Sequence, residues 1–185
     1  HARPVSAFGD INPKLLIVGL APGMHGANRT GRPFTGDYAG ILLYQTLHTC
    51  GFATRHESLS ADDGLQLMGC RISNPVKCLP PENKPIPTEI KQCNQYLVTE
   101  VKAFMQNGGV ALLALGTVAH QAVLMSLQLK LKDYPFGHGI AHHLPLGNGL
   151  KLYDSYHCSR YNTQTKRLTT EMFEQVFENM VADMK

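Results

Sequence analysis

A chain of 185 residues, 43% hydrophobic and 17% charged, carries enough apolar material for one domain with a sizeable core and too much for a disordered chain. Its 17 Lys plus Arg against 14 Asp plus Glu leave a net charge of +3, too mild to demand a polyanionic partner and no obstacle to one. Five scattered cysteines do not read as a disulfide framework, and no apolar run reaches membrane-spanning length or forms a signal peptide, so a reducing interior is expected.

The chain opens at His1 on a loop-like stretch, from which we expect a natural N-terminal segment further upstream. Leu15 to Val18 is a short continuous apolar run, the pattern of a strand buried on both faces. Residues 19–37 (GLAPGMHGANRTGRPFTGD) follow, rich in glycine and poor in apolar side chains. A segment of that length without regular structure is uncommon in a compact domain unless it has a function. Strand-to-helix loops also lie at the carboxyl edge of a parallel sheet, where α/β proteins build their sites. Residues 38–50 then hold Ile41, Leu42, Tyr44 and Leu47 in helical order, with Gly51 as a stop. Residues 54–64 read as a loop or a short turn of helix.

Residues 70–78 (CRISNPVKC) begin as a second strand that Pro75 ends, because proline cannot donate to a ladder. Residues 79–85 contain three prolines and form a second loop. From Pro87 to about Asn107, Ile90, Cys93, Leu97, Val101 and Phe104 recur at three- and four-residue steps, the mark of an amphipathic helix. Residues 110–115 read as a third strand and 118–129 as a third helix. Residues 133–149 read as one long loop, with His142 and His143 on its surface. Residues 150–157 read as a fourth strand, 158–167 as the loop after it, and Leu168, Met172, Phe173, Val176 and Met180 as one face of a terminal helix. Strand and helix alternating four times imply right-handed crossovers. The expected fold is α/β: a three-layer α/β/α sandwich around a four-stranded parallel sheet, one domain over residues 1–185. Loops 19–37, 79–85 and 158–167 should meet at one edge of that sheet.

The first of these loops offers His25, Asn28, Arg29, Arg32, Phe34 and Asp37. Phe34, a large ring in a polar loop, is either a pin to the core or a platform for a planar ligand. Asp37 stands where a helix starts, so it caps that helix or holds a water. His157, at the tip of a strand, either points into the cleft or is a satisfied structural histidine. Beyond it Ser159, Arg160, Asn162, Thr163, Lys166 and Arg167 suit phosphate oxygens, or form an ordinary solvated loop. A Rossmann glycine motif, a Walker lysine, a Gly-x-Ser-x-Gly elbow and an HExxH helix are all missing from the sequence.

Three motifs carry a resemblance: residues 19–23 (GLAPG) with 32–37 (RPFTGD), residues 74–85 (NPVKCLPPENKP), and residues 156–163 (YHCSRYNT) continuing to 167–169 (RLT). Together they resemble the uracil-DNA glycosylase superfamily, its family 5 type and the related family 4. The resemblance implies extrusion of a damaged base from DNA and hydrolysis of its N-glycosidic bond. It assigns Asp37 to water activation, Asn83 to the facing catalytic motif, and His157 to the charge on the departing base. Phe34 would stack on the base, Asn74 would read its edge, and Gly19, Ala21 and His25 would complete the base-binding set. Arg160, Tyr161 and Asn162 would belong to the loop that enters the duplex.

The families it resembles also carry a 4Fe–4S cluster on four cysteines. Cys78 and Cys93 match two of its ligands and the other two are missing from this chain, while Cys93 also fits the apolar helix face as ordinary core. No lysine is placed as a Schiff-base nucleophile, so a monofunctional hydrolytic enzyme acting on uracil and other deaminated bases is expected. Its partner would be DNA containing damaged bases, with no membrane, in a monomer of the prokaryotic cytoplasm associated with the nucleoid. The competing expectations are a non-catalytic nucleic-acid-binding module of the same fold and an enzyme of free nucleotides.

Overall fold

A computed structural model describes residues 4–185, the side chain of Asn83 excepted. Six strands form one sheet: β1 (Phe8–Gly9), β2 (Leu15–Val18), β3 (Cys70–Ser73), β4 (Ala111–Leu115), β5 (Ala141–His143) and β6 (Lys151–Ser155). Their order is β1-β3-β2-β4-β6-β5. The four central strands are parallel, with Leu15 beside Cys70 and Ala111, and Ala111 beside Lys151. These are the four expected from the sequence. The sheet is nevertheless wider, because β1 and β5 pair antiparallel along its two edges. An edge strand of two or three residues buries too little to impose an alternating pattern, so neither leaves a sequence signal.

Four continuous apolar residues form β2 because both of its faces are covered. Leu15 and Ile17 face one core, together with Leu113 of β4, while Leu16 and Val18 face a second with Leu112 and Ala114. The first core is closed by α2 (Tyr38–Thr49) and, at the C-terminus, α6 (Thr170–Asp183), through Leu43, Tyr44, Phe173 and Phe177. The second is closed by α3 (Pro87–Gln106) and α4 (Thr117–Ser126), through Leu97, Phe104 and Val123. Three layers result, as strand-helix alternation requires.

Helix boundaries follow local chemistry. Asp37 Oδ1 accepts the Gly40 N–H at 2.9 Å and starts α2, and Gly51 in the left-handed region ends the turn after it. Glu89 accepts the Ile86 N–H at 3.0 Å ahead of α3. Thr169 accepts the Met172 N–H at 3.2 Å and starts α6. Two short helices interrupt expected loops: α1 (Ala27–Thr30) within 19–37, and α5 (Arg160–Gln164) within 158–167, the latter capped by Ser159.

The long loop expected over 133–149 is a correction in two respects. It contains β5, and His142 is not a surface residue: its Nε2 lies 3.0 Å from Asp154 Oδ2. Asp154 is fully buried in β6, and a buried carboxylate requires donors. His143 is exposed, as expected.

Residues 58–63 are held to the glycine-rich loop by a charge pair. Arg32 donates to Asp63 at 2.8 Å, to Ser58 Oγ at 3.0 Å and to the Ala61 carbonyl at 2.6 Å, with its guanidinium 4.3 Å over the Phe8 ring. Burial alone would raise the Asp63 carboxyl, but the Leu65 N–H, the Arg32 guanidinium and the Leu59 and Ser60 N–H groups outweigh it and hold it well below its usual range.

Where α2 begins, the chain passes very close to itself. A Cβ on Gly40 would stand 1.9 Å from the Phe34 carbonyl oxygen. Gly40→Ala is therefore expected to destabilise the protein by at least about 2 kcal/mol, seen as a fall in Tm of roughly 4–8 °C. Gly147→Ala, where an added Cβ meets nothing within 4 Å, should change stability by less than about 0.5 kcal/mol in the same thermal melt.

Candidate active site

The turns leaving β2, β3 and β6 enclose a pocket of about 250 Å³ at the carboxyl edge of the sheet. Leu20 and Ala21 come from the first turn, Asn74 from the second, and His157, Ser159 and Arg160 from the third. Phe34 and Asp37, returning from the glycine-rich loop, close the remaining side. Parallel strands bring these segments together because every crossover returns the chain to the same edge.

Phe34 serves both functions that the sequence left open. Its ring is 6% exposed within the first core and lines the pocket as well. Its backbone sits at φ 53°, a region that ordinary residues avoid. The ring stacks on His157, with centroids 5.8 Å apart and planes inclined by 28°. Gly19 lies directly behind it. A Cβ there would come within 2.4 Å of Asn74 Oδ1 and 2.6 Å of the Phe34 ring, so only glycine lets these two side chains close on the strand end.

Asn74 is 4% exposed, and its Oδ1 has no hydrogen-bond partner among the described residues. A buried amide oxygen without a partner costs about 1–3 kcal/mol, so it marks a place where a ligand donor fits. His157 is pushed down to about 4 by burial, so the ring is neutral near pH 7. Its carbonyl accepts from Asn162 Nδ2 at 2.8 Å. A neutral imidazole has one N–H to offer an acceptor, the form suited to an atom gaining negative charge.

Asp37 both caps α2 and lines the pocket, so its two candidate roles coexist. Burial pushes its carboxyl above the usual range, opposed by the Gly40 and Ala39 N–H groups. A carboxylate raised in this way is a better proton acceptor than one in water. Gly26 packs against it, since a Cβ there would lie 2.5 Å from Asp37 Oδ2.

The remaining expected residues divide. Arg160 is exposed on the pocket rim, its guanidinium 5.9 Å over the Tyr38 ring, and Tyr161 beside it is 71% exposed. Asn162 uses its amide nitrogen on the His157 carbonyl rather than facing outward with them. His25 is exposed, and its carbonyl accepts from Arg29 Nε at 3.0 Å; the residue does not line the pocket. Arg32 turns inward onto Asp63. The side chain of Asn83 lies outside the described residues. Ser159, expected in the loop suited to phosphate oxygens, lines the pocket, as does Tyr38, which the sequence did not single out. Tyr38 was legible only as the neighbour of Asp37.

Cys78 is exposed and Cys93 half-buried, while Cys70 and Cys158 lie within the first core. A 4Fe–4S cluster needs four thiolates. Among the described residues the group of three metal-ligating side chains drawn together is His120, His142 and Asp154, which contains no cysteine. Cys78 and Cys93 therefore do not by themselves fit the cluster. Larger hollows exist, one of about 380 Å³ beside Arg71 and Phe104 and one of about 450 Å³ beside Ile41 and Leu59. Neither has what distinguishes the smaller pocket: three sequence-distant turns, a partnerless amide oxygen and a neutral histidine.

A family model described as the uracil DNA glycosylase superfamily matches residues 6–181 of this chain. The chain is similar to the type-5 uracil-DNA glycosylase of Thermus thermophilus, at 48% identity over 95% of this chain and 78% of that protein. It is similar also to the type-5 uracil-DNA glycosylase of Mycobacterium tuberculosis, at 43% identity over 95% of this chain and 65% of that one. The type-4 uracil-DNA glycosylase of Archaeoglobus fulgidus is 32% identical over 68% of this chain and 55% of its own length. The chain thus spans about two thirds of the mycobacterial relative.

Two outcomes follow from the pocket geometry. Gly19→Ala should leave the thermal unfolding cooperative while displacing Phe34 and Asn74, read as loss of ligand binding in the pocket by calorimetric titration with a free pyrimidine base. The second concerns pH. Because burial holds His157 near 4 against an ordinary 6.5, the unfolded chain binds a proton in that window that the folded chain does not. This residue's contribution is therefore constant above about pH 6.5 and falls as pH drops towards about 4. Urea midpoints measured across that interval should decline less steeply for His157→Asn than for the unaltered protein.

Proposed function

The chain belongs to the uracil-DNA glycosylase superfamily, and from this membership and the pocket we propose that it removes uracil from DNA by hydrolysing the N-glycosidic bond. The observation that carries the reading is Asn74, a buried lining residue whose Oδ1 has no partner among the described residues, in a pocket of about 250 Å³ walled by the stacked Phe34 and His157 rings. Asn and its two possible amide orientations match the donor and acceptor pattern of a pyrimidine edge. The scissile bond is out of reach inside a duplex, so the nucleotide has to leave the stack before it can enter. Exposed Tyr161 and Arg160 on the rim suit that step, the ring as a wedge and the guanidinium as a phosphate partner.

The chemistry is a displacement at the sugar carbon. The bond from the base nitrogen to C1′ breaks with its electron pair leaving on the base, while a water oxygen bonds to C1′ and passes a proton to Asp37. Positive charge develops on the sugar, as in other glycoside hydrolyses, and the Asp37 carboxylate opposes it. Negative charge develops on the base carbonyl, and the neutral His157 N–H donates there. Phe34 holds the ring plane, and Gly19 and Ala21 give the main chain close access to the base. We assign Asn83 and His25 to the outer part of the same site on sequence resemblance alone. Deaminated bases other than uracil that keep the same edge pattern are further substrates on this reading.

On the same resemblance we assign Cys78 and Cys93 to two thiolates of a 4Fe–4S cluster; no step above uses the cluster. The setting is prokaryotic cytoplasm with nucleoid DNA as partner and the enzyme as a monomer, the prokaryotic part supported by bacterial and archaeal relatives.

The reading is tested by incubating the protein with a uracil-containing duplex and measuring free uracil. Release supports it, whereas tight binding without release would favour a non-catalytic DNA-binding module. Asp37→Asn should slow single-turnover release by roughly 10²–10⁴-fold, the range for losing a positioned base, with duplex affinity within about threefold. An unchanged rate would remove Asp37 from the chemistry.

A further inference from the structure

Outside the pocket, a buried polar group centres on Asp154 of β6, three residues before His157. Its Oδ1 lies 2.7 Å from His120 Nδ1 on α4, and its Oδ2 lies 3.0 Å from His142 Nε2 on β5. Oδ2 also accepts the Gly137 N–H at 3.3 Å, and the Asp154 carbonyl accepts the Gly139 N–H at 2.8 Å. His120 Nε2, on its other side, is 2.8 Å from the Tyr134 carbonyl. Both nitrogens of His120 and both oxygens of Asp154 are thus engaged. Their combined effect is to fasten residues 134–142 down onto β6.

The fastened segment carries His138. Its ring stacks on Tyr156, with centroids 4.9 Å apart and planes 17° from parallel, and its Nδ1 accepts the Tyr156 N–H at 3.1 Å. β6 ends at Ser155, so no ladder partner receives that N–H, and His138 satisfies a main-chain donor that half-buried rings would otherwise leave unpaired. The acceptor lone pair exists only while Nδ1 is unprotonated, and burial lowers the His138 pKa, favouring the neutral ring. On the far side, the His157 carbonyl is held by Asn162. Gly116, at φ 97°, packs close to His157, where an added Cβ would stand 3.4 Å from the His157 Cβ.

We propose that His138 is a positioning residue for base excision: by accepting the Tyr156 N–H it sets the path of the main chain into His157, and so the direction in which that ring donates. The proposal rests on the role given to His157 above. His138 does not line the pocket, and it acts only through the residue that does.

The test uses the whole chain and four variants. His138→Phe keeps a ring to stack on Tyr156 but has no acceptor, whereas His138→Asn keeps an acceptor oxygen where the imidazole has Nδ1. Single-turnover uracil release is measured together with affinity for an uncleavable uracil duplex analogue. His138→Phe should slow release about tenfold, a modest penalty for a misplaced catalytic group, with affinity within about threefold. His138→Asn should recover release to within about threefold of the unaltered protein. Added to His157→Ala, His138→Phe should cost less than about twofold more, since a residue acting through His157 has nothing further to lose.

A normal rate in His138→Phe, an equally slow His138→Asn, or a full additive loss in the double variant would each overturn the proposal. His138→Leu serves if the phenylalanine variant fails to fold, and failure of both would mark the residue as structural and end the idea. If the unaltered protein releases no uracil, the functional reading fails instead. The ring resonances of His157 in the free protein then decide: a shift in His138→Phe that is absent in His138→Asn supports positioning, and no shift refutes it.

Discussion

At Phe34 the chain holds an aromatic residue in a backbone conformation that costs a side-chain-bearing residue about 1–3 kcal/mol, and the pocket depends on that cost being met. Three contacts meet it. Gly40 lets the Phe34 carbonyl approach the first turn of α2, Gly19 lets the ring lie against the end of β2, and Tyr44 donates to the Pro33 carbonyl at 2.8 Å from within the core. Turned this way, the ring faces His157 and Asn74. In the extended conformation it would leave the pocket without its wall. Strain held by surrounding packing is a feature of ligand-binding positions, and here each supporting atom can be named.

The same packing sets the charge states. His157 and Asp37 stand at one pocket, and burial acts on both by penalising the charged form. For the histidine this yields a neutral donor, and for the aspartate a more basic carboxylate. Each therefore sits in the form that its proposed step needs, without an opposing charge having to be supplied. The +3 net charge is too small to draw DNA in by itself, so attraction falls to local groups on the rim such as Arg160.

Besides the Asp154 group, two charged clusters brace the pocket from behind. Arg32 and Asp63 join the glycine-rich loop to residues 58–65, and their hydrogen bonds to Ser58, Ala61 and Leu65 satisfy what burial would otherwise leave unpaired. Lys77 and Glu100, with Ser73 between them, make a second charged cluster beside Asn74, with Lys77 Nζ 2.7 Å from Glu100 Oε1. Both lie one step away from residues that line the pocket. Neither touches the space a base would occupy.

The sequence by itself determined the layered fold, because runs such as Leu15–Val18 can satisfy their burial only between two helical layers, and the helices carry their own caps and stops. It also determined which loop forms the site, since glycine and proline density shapes a main chain whatever packs around it. Its motifs named Phe34, Asn74, Asp37 and His157, which the fold brings to one pocket. Only the tertiary structure decided what depends on partners distant in the chain. Arg32 turned inward because Asp63 waits 31 positions away, and His142 left the surface because the buried Asp154 takes it as one of its partners. β1 and β5 exist because a sheet edge offers hydrogen bonds that a strand of two or three residues can take. Asn162 faces the His157 carbonyl rather than solvent for a similar reason. Local patterns carry the energy of burial, which repeats along a chain, whereas polar pairing is decided by the one neighbour that folding supplies.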